Sequence, residues 1–345
     1  MLKIQENISL GPRTTLGIGG PARWFVEAAS EAEIAEACAW ARERNAPLFV
    51  LGGGSNVLVA DAGFDGLVLH VAIEGVALAG ERLRVGAGVL WERCVRRSVD
   101  AGLAGIECLA GIPGTVGGTP VQNVGAYGQE VAATIERVRA FDRAAQEFVE
   151  FTKAECGFGY RRSRFNTVDR GRYVVTRVDY KLRRDGAPTL AYGDLKAYFS
   201  GVKKAPALDK VAEAVRGIRK SKGMLLIDGD PDCRSAGSFF KNPSIAREVA
   251  ERACRIAADA EIPARVFPAE DGRVKISAAW LIEQAGFTKG FALGAAGISS
   301  RHTLALVNLG GATAVEMLAL AERIRMAVEA RFGIRLEMEP ERVGF

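Results

Sequence analysis

Four stretches of this chain carry residue types that could do chemistry. Residues 235–243 read Ser-Ala-Gly-Ser-Phe-Phe-Lys-Asn-Pro, and Gly237 lets the Ser238 hydroxyl approach a ligand closely. No histidine lies nearby: the chain has 2, His70 and His302, and no G-x-S-x-G elbow surrounds Ser238. That disfavours an activated nucleophile and leaves proton donation as the more natural task. Taken alone, a serine in a glycine turn is also ordinary scaffold.

Residues 156–163, Cys-Gly-Phe-Gly-Tyr-Arg-Arg-Ser, set Arg161 among glycines and aromatics. A guanidinium so placed can clamp a carboxylate bidentately, and a surface arginine beside packed aromatics gives the same pattern. Gly52-Gly53-Gly54-Ser55-Asn56 lies between the apolar runs 48–51 and 57–59. It is neither a G-x-G-x-x-G opening a helix nor a P-loop, because a strand pattern follows and no Gly-Lys-Ser/Thr appears. What it offers is a row of unencumbered backbone N–H groups, able to cup a pyrophosphate or simply to turn the chain. Residues 111–128 include Ile112-Pro113-Gly114 and Gln122-Asn123-Val124-Gly125-Ala126-Tyr127-Gly128. Such an uncharged, glycine-dense run suits backbone wrapped round a flat ligand, with Gln122 and Asn123 able to read the edge of a heterocycle.

The rest of the composition narrows the field. A chain of 345 residues fits two or three domains. Its 46 basic and 41 acidic residues give a net charge of +5, too mild to argue for nucleic acid. It would suit a small anion if Arg161, Arg162, Arg164, Arg216, Arg219, Lys220 and Lys222 gathered at one cleft. Cys38, Cys94, Cys108, Cys156, Cys233 and Cys254 form no C-x-x-C pair, so no metal site is expected and reduced thiols are. Residues 1–20 lack a basic start leading into an apolar segment, and no apolar run reaches membrane-spanning length. A cytoplasmic protein without membrane insertion is expected, and a monomer, since no large exposed apolar stripe is evident.

The elements that must position these stretches can be read in order. Ser30-Glu31-Ala32-Glu33 is a capping-box pattern opening a helix with Ile34, Ala37, Cys38 and Ala41 on one face. Residues 138–152 pattern as a hairpin around 142–145, 173–182 as a half-exposed strand, and 208–222 as a basic helix. Helices are expected near 244–260 and 277–285. Thr313-Ala314-Val315-Glu316 opens another, which Gly333 stops. Residues 334–339 alternate strictly, predicting a terminal strand with Arg335, Glu337 and Glu339 on one side.

In this order, the four stretches resemble the UDP-N-acetylenolpyruvoylglucosamine reductase family, from about Thr14 to Glu339. Leu190-Ala191-Tyr192-Gly193-Asp194-Leu195 is similar to the substrate-closing tyrosine loop of its longer, type I members. The resemblance implies an α+β chain with a vanillyl-alcohol-oxidase-type (PCMH) FAD-binding module of two subdomains plus a smaller α/β substrate-binding domain. Residues 1–75, completed by the strand 333–345, would form the first subdomain, 76–222 the second, and 223–332 the substrate domain. It implies non-covalent FAD held by residues 52–56, 112–114, Gln122, Asn123 and 125–128. It also implies NADPH as reductant and UDP-N-acetylglucosamine enolpyruvate as substrate. Hydride would pass from flavin N5 to the vinyl methylene.

The same resemblance gives Arg161 the carboxylate and Ser238 the proton for the adjacent carbon, a chemistry that needs fixed positive charge beside an enolate-like dianion. Tyr160, Arg161, Tyr192, Lys222, Asn242 and Gln284 match substrate-binding positions. The acidic partner comes from the terminal strand. Leu336-Glu337-Met338-Glu339 selects Glu339, whereas aligning Glu339-Pro340-Glu341 one step later selects Glu341, and alternation favours Glu339. Residues 223–234 form a longer, more acidic link than in some type I relatives, which weakens the match at Lys222. The alternative is another FAD-dependent oxidase or dehydrogenase of the same fold superfamily. It would keep the glycine loops without needing Arg161, Ser238 and Glu339 together, and His70 is a poor covalent flavin ligand. A non-catalytic flavin or nucleotide-binding protein is a third reading.

Overall fold

Helical and alternating periods become elements in the computed structural model, which describes residues 2–202, 204–261 and 263–345. Ser30 caps the helix Glu31–Glu43 by accepting a hydrogen bond from the Glu33 N–H, and Ile34, Ala37, Cys38 and Ala41 form its buried face. The Glu33 carboxylate accepts from the Ala29 N–H at 2.7 Å, one residue before Ser30, so the return half of the expected capping box is made to the residue preceding the cap.

The chain divides into two units. The first comprises the residues up to Ile8, Pro21–Gly54 and Phe64–Ser221; the second comprises Ser9–Gly20, Ser55–Gly63 and Lys222–Phe345. Each has its own apolar core. The glycine loop 52–56 is therefore also a crossing, because the chain passes from one unit to the other after Gly54.

In the first unit, Pro21–Ala28 and Leu48–Leu51 both run parallel to Phe64–Val71, with Gln5–Ser9 at the edge of the sheet. A five-stranded antiparallel sheet follows in the order Glu147–Thr152, Ile135–Asp142, Tyr173–Lys181, Arg82–Gly86 and Val76–Ala79. Ile135–Asp142 and Glu147–Thr152 are the expected hairpin. One sheet face carries a charge lattice, in which Arg82 clamps Glu136 bidentately at 2.8 and 2.9 Å and Arg177 pairs with Asp179 and Glu150. Several of the chain's arginines are engaged there in ion pairs of small individual worth.

The second unit is built on an antiparallel sheet ordered Ser235–Ser238, Ala305–Asn308, Ala296–Ile298 and Ala292–Leu293. The helix Ala314–Phe332 is opened by the reciprocal Thr313/Glu316 capping box and stopped by Gly333 at φ 66°. Its buried Met317, Ile324 and Phe332 pack with Phe239, Phe240 and Trp280. The architecture is α+β.

The terminal strand differs from expectation. Residues 334–339 are extended, with Ile334 and Leu336 buried and Arg335 and Glu337 exposed, yet only Met338 makes a bridge, to Phe240. The true strand is Glu341–Val343, parallel to Val57–Val59. Alternation reports which side is buried; it does not report which backbone groups find a partner. All 6 cysteines are free thiols. Burial pushes Cys38 up to about 11 and Cys156 up to about 12, which keeps both unreactive.

Candidate active site

In the first unit the two glycine-rich stretches meet. A Cβ on Gly53 would lie 2.6 Å from the Gly114 Cα, and one on Gly52 would lie 2.8 Å from Thr115 Oγ1. Backbone thus packs on backbone, and Gly54 and Gly114 adopt φ of +62° and +113°. The second loop is held from behind: the Trp91 N–H donates to the Gly114 carbonyl at 3.0 Å and the Gly117 N–H donates to that of Ala87 at 2.8 Å. Ile112 and Pro113 are half-buried along it.

Both peptide groups of Gly111 are fixed by charged side chains. Its N–H donates to Glu92 Oε2 at 2.6 Å, and its carbonyl accepts from Arg219 Nε at 2.9 Å. Arg219 is 5% exposed, and burial pulls its pKa below the ordinary guanidinium value against the opposing pull of Tyr127 and Glu92. Arg216 pairs with Glu92 at 2.6 Å. These two members of the expected anion-binding cluster are therefore engaged in holding the glycine loop. Arg164 likewise donates to Asp169 at 2.7 Å.

The Gly-Ala-Tyr-Gly motif is a tight hairpin. Gly125 and Ala126 pair with Glu130 and Gln129, and Tyr127 (φ +49°) and Gly128 (φ +84°) form the turn. Positive φ at both central residues is the geometry that suits a two-residue hairpin. Gln122 is half-buried beside it. Asn123, expected to read a heterocycle, has its amide engaged elsewhere. Nδ2 donates to Glu130 Oε2 at 2.9 Å and to the Gly159 carbonyl at 3.0 Å, while Oδ1 accepts from the Ala132 N–H at 3.1 Å.

Arg161 sits at the tip of a second turn, where Gly159 and Arg162 exchange backbone bonds of 3.0 and 3.2 Å. Its φ is +54°, its Nη2 donates to the Gly125 carbonyl at 2.8 Å, and its guanidinium lies 5.4 Å from the Tyr160 ring centroid. The Tyr192 ring packs edge-on against Tyr127 at 5.3 Å. The segment before it is pinned at Thr189, whose N–H donates to the buried Glu107 at 3.0 Å and whose Oγ1 accepts from Gln129 at 3.1 Å. Arg161, Tyr160, Tyr192 and the hairpin thus belong to one bonded assembly.

The second unit holds the remaining residues. Ser235 faces Val307 and Ser238 faces Ala305, so the strand gains one residue at a bulge where Gly237 has φ +72°. A bulge of this kind re-aims the side chain that follows it. Beyond it, the Glu339 N–H donates to the Phe239 carbonyl and the Lys241 N–H donates to that of Glu337, both at 2.9 Å. The residue after Ser238 is therefore bonded to the backbone of Glu339. Glu337 is exposed and pairs with Lys241 at 3.1 Å, while Glu341 lies in the strand beside Val57. Asn56 bridges both positions: Nδ2 donates to the Glu339 carbonyl at 3.3 Å and its own carbonyl accepts from the Glu341 N–H at 2.9 Å. Ser55 is half-buried before it.

Lys222 is followed by Gly223 (φ +65°), where a Cβ would lie 2.9 Å from the Asp232 Cβ and 3.0 Å from Arg301 Nε. The acidic link 223–234 is a folded clamp. Arg301 donates to Asp232 at 2.7 Å and also to Asp230, and the Ser300 hydroxyl donates to Asp232 at 2.7 Å. The Arg301 guanidinium holds the Asp230 carboxyl below the usual range; burial opposes the same effect at Asp232, where Ser300 and Arg301 prevail. Asn242 Oδ1 accepts from the Ala278 N–H at 2.9 Å, at the start of the helix Ala278–Gln284, and Gln284 ends that helix half-buried.

Comparison with known proteins decides the family. Residues 22–151 match an FAD binding domain, and residues 230–343 match the C-terminal domain of UDP-N-acetylenolpyruvoylglucosamine reductase. The chain is 48% identical over 344 residues to the UDP-N-acetylenolpyruvoylglucosamine reductase of Streptomyces coelicolor, covering 97% of this chain and 89% of that protein. It is 46% identical to that of Thermobifida fusca, with 98% of each covered. The crystal structure of the Thermus caldophilus enzyme is similar, at 30% identity and a TM-score of 0.69, with 99% and 100% of the two chains covered. The chain belongs to the UDP-N-acetylenolpyruvoylglucosamine reductase family.

Within that family the cofactor is FAD, and the chemistry of the two glycine loops suits it. Any side chain at position 52 or 53 would strike Thr115 or Gly114, and the two loops present uncharged backbone suited to a pyrophosphate and a flat ring. Of the supporting residues, Glu92, Glu107 and Gln129 were missed from sequence, and Arg219 was read there as part of an anion cleft, not as a prop for the glycine loop. Their one visible signal was position: Gln129 adjoins the glycine-rich run and Glu107 lies four residues before it.

Proposed function

We propose that this chain performs its family's reaction with Arg161, Ser238 and Glu339 as its catalytic side chains. The reaction is the NADPH-dependent reduction of UDP-N-acetylglucosamine enolpyruvate to UDP-N-acetylmuramate in peptidoglycan precursor synthesis. The enzyme is thus an FAD-dependent oxidoreductase acting on a carbon–carbon double bond. Residues 52–56, 112–114, Gln122 and 125–128 would hold FAD non-covalently, whereas the Asn123 amide, first expected to join them, is engaged with Glu130, Gly159 and Ala132. When bound, FAD takes hydride from NADPH and supplies it to the vinyl methylene carbon.

The chain's own task is the charge and the proton that follow. Arg161 binds the substrate carboxylate and neutralises the enolate-like charge that builds beside it, where a fixed cation is worth most. Ser238 delivers a proton to the carbon next to the carboxylate. A serine is a weak acid in water, yet it can protonate a strongly basic carbanion once water is excluded. Glu339 is the acidic partner. The observation that carries this reading is the Gly237 bulge followed by the bond between the Glu339 N–H and the Phe239 carbonyl at 2.9 Å, which fixes the serine and glutamate backbones beside each other. That bond also supports Glu339 over Glu341.

Substrate binding is assigned to Tyr160, Tyr192, Lys222, Asn242 and Gln284, with Lys222 on the diphosphate. Residues 223–332 would form most of the substrate domain and 1–222 most of the flavin module. A cytoplasmic monomer is part of the proposal; no helix among the described residues is long and apolar enough to cross a membrane. The test is anaerobic. In Ser238→Ala, NADPH should bleach the flavin at close to the wild-type rate. Recolouring by the enolpyruvyl nucleotide should slow by about a hundred- to ten-thousand-fold, the usual worth of a positioned acid. Fast recolouring would sink the proton-donor role.

A further inference from the structure

The turn that carries Arg161 is tied down at two carbonyls by two asparagines. Asn123 Nδ2 donates to the Gly159 carbonyl at 3.0 Å, and Asn166 Nδ2 donates to the carbonyl of Arg161 itself at 3.1 Å. A third tie comes from Ser163, whose hydroxyl donates to the Val121 carbonyl at 2.6 Å. At the far end of the side chain, Arg161 Nη2 donates to the Gly125 carbonyl of the hairpin at 2.8 Å. Asn123 is anchored on that hairpin too, through Glu130 Oε2 at 2.9 Å.

These ties have work to do. Arg161 adopts φ +54°, a region disfavoured for a residue with a Cβ, which persists only when the surroundings over-determine it. Released, the turn would relax to negative φ and swing the guanidinium off the hairpin. Asn123 is 1% exposed and its amide is spent on Glu130, Gly159 and Ala132. Asn166 spends its oxygen on the Ser163 N–H at 2.9 Å and its nitrogen on Arg161.

We infer that Asn123 and Asn166 are positioning residues for Arg161, setting where the guanidinium meets the carboxylate of the substrate. The inference rests on Arg161 being the carboxylate-binding group. It also changes the expected role of Asn123, from reading the flavin to holding the arginine turn.

Asn166→Asp separates this role from plain scaffolding. The new carboxylate keeps an acceptor for the Ser163 N–H, so the local cap survives, but it cannot donate to the Arg161 carbonyl. Asn123→Gly is the second variant, since glycine tolerates the φ of +48° found there. Holoenzyme of each is titrated calorimetrically with UDP-N-acetylglucosamine enolpyruvate and, separately, with UDP-N-acetylglucosamine, which lacks the carboxylate. Expected is a weakening of about tenfold to a hundredfold for the first ligand, the scale of an ångström-level misplacement, and less than about twofold for the second. Flavin content and NADPH bleaching should stay at wild-type levels in Asn166→Asp. Equal weakening of both ligands, or none of either, overturns the positioning role. If Asn123→Gly loses flavin, Asn166→Asp alone decides. Arg161→Ala is the reference: if it fails to discriminate between the two ligands, the reading of Arg161 falls. If it discriminates and the asparagine variants bind as wild type, only the inference falls.

Discussion

Gly53→Ala tests the glycine cradle on steric grounds alone. Gly53 is absent from the positive-φ positions, so no left-handed backbone conformation stands against alanine there. The trouble is the methyl group. Its carbon would lie 2.6 Å from the Gly114 Cα, 3.0 Å from the Gly114 carbonyl carbon and 3.2 Å from the Thr115 nitrogen, where ordinary contact begins at 3.4 Å. Every one of those atoms is backbone, so no side chain can rotate away and the loops must part by about 0.8 Å. Overpacking of this kind costs about 1–3 kcal/mol. A cofactor seated across both loops must draw them together against that strain, so its Kd should rise by about 5- to 150-fold. The assay is titration of flavin-stripped protein with FAD, followed by quenching of flavin fluorescence, with the melting temperature of the apoprotein measured beside it. A wild-type Kd would refute the cradle. It would do so even if the melting temperature fell, because the loops would then be packed together without framing the flavin.

Other perturbations follow from the same geometry. Gly237→Ala puts a Cβ at φ +72° within the bulge, and should cost about 1–2 kcal/mol and slow the second half-reaction more than flavin reduction; equal slowing of both counts against the bulge as the device that aims Ser238. Glu339→Gln should slow recolouring of reduced enzyme by at least about tenfold while Glu341→Gln leaves it within about twofold, and the reverse order reassigns the acid. For the link, the folded pKa values of Asp230 and Asp232 are lowered, so their contribution is present above the unfolded carboxylate value near pH ~4 and is lost as pH falls through the folded values. Thermal unfolding of Arg301→Met should therefore show a deficit at pH 7 that closes towards pH 3; a gap independent of pH would count against the clamp. Gly217 lies exposed in the helix Leu208–Ser221 with open space at its Cβ, so Gly217→Ala should raise stability by about 0.5–1 kcal/mol in the same assay.

Local pattern made much of this fold legible. The Thr313/Glu316 box, the stop at Gly333 and the hairpin depend on residues close in sequence; the first two form as read, and the hairpin read at 138–152 begins three residues earlier, at Ile135. What stayed hidden depends on how polar groups are shared across long separations. Nothing in Gln122-Asn123 says that one amide is engaged with Gly159 and Glu130, because that is settled by chain folded 36 residues away. Arg219 reads from sequence as a candidate for an anion-binding cleft, yet it is buried behind Gly111, 108 positions earlier. The link 223–234 looked like an acidic insertion. It is an ion-pair clamp because Arg301, some 70 residues on, supplies the counter-charge.

In the terminal segment the proposed choice of Glu339 rests on backbone bonding and not on pattern alone. Spacing and alternation favoured Glu339, and a one-step shift of the match selected Glu341. Hydrogen bonding separates all three. Glu337 is drawn to Lys241, Glu341 enters the ladder with Val57, and Glu339 donates its N–H to the residue after Ser238. Pro340 lies between the two pairings and has no N–H to give, so the chain can leave one ladder and join the next at that point without stranding a donor. The proline is what lets a single short segment serve first the serine motif and then the strand that follows the glycine loop.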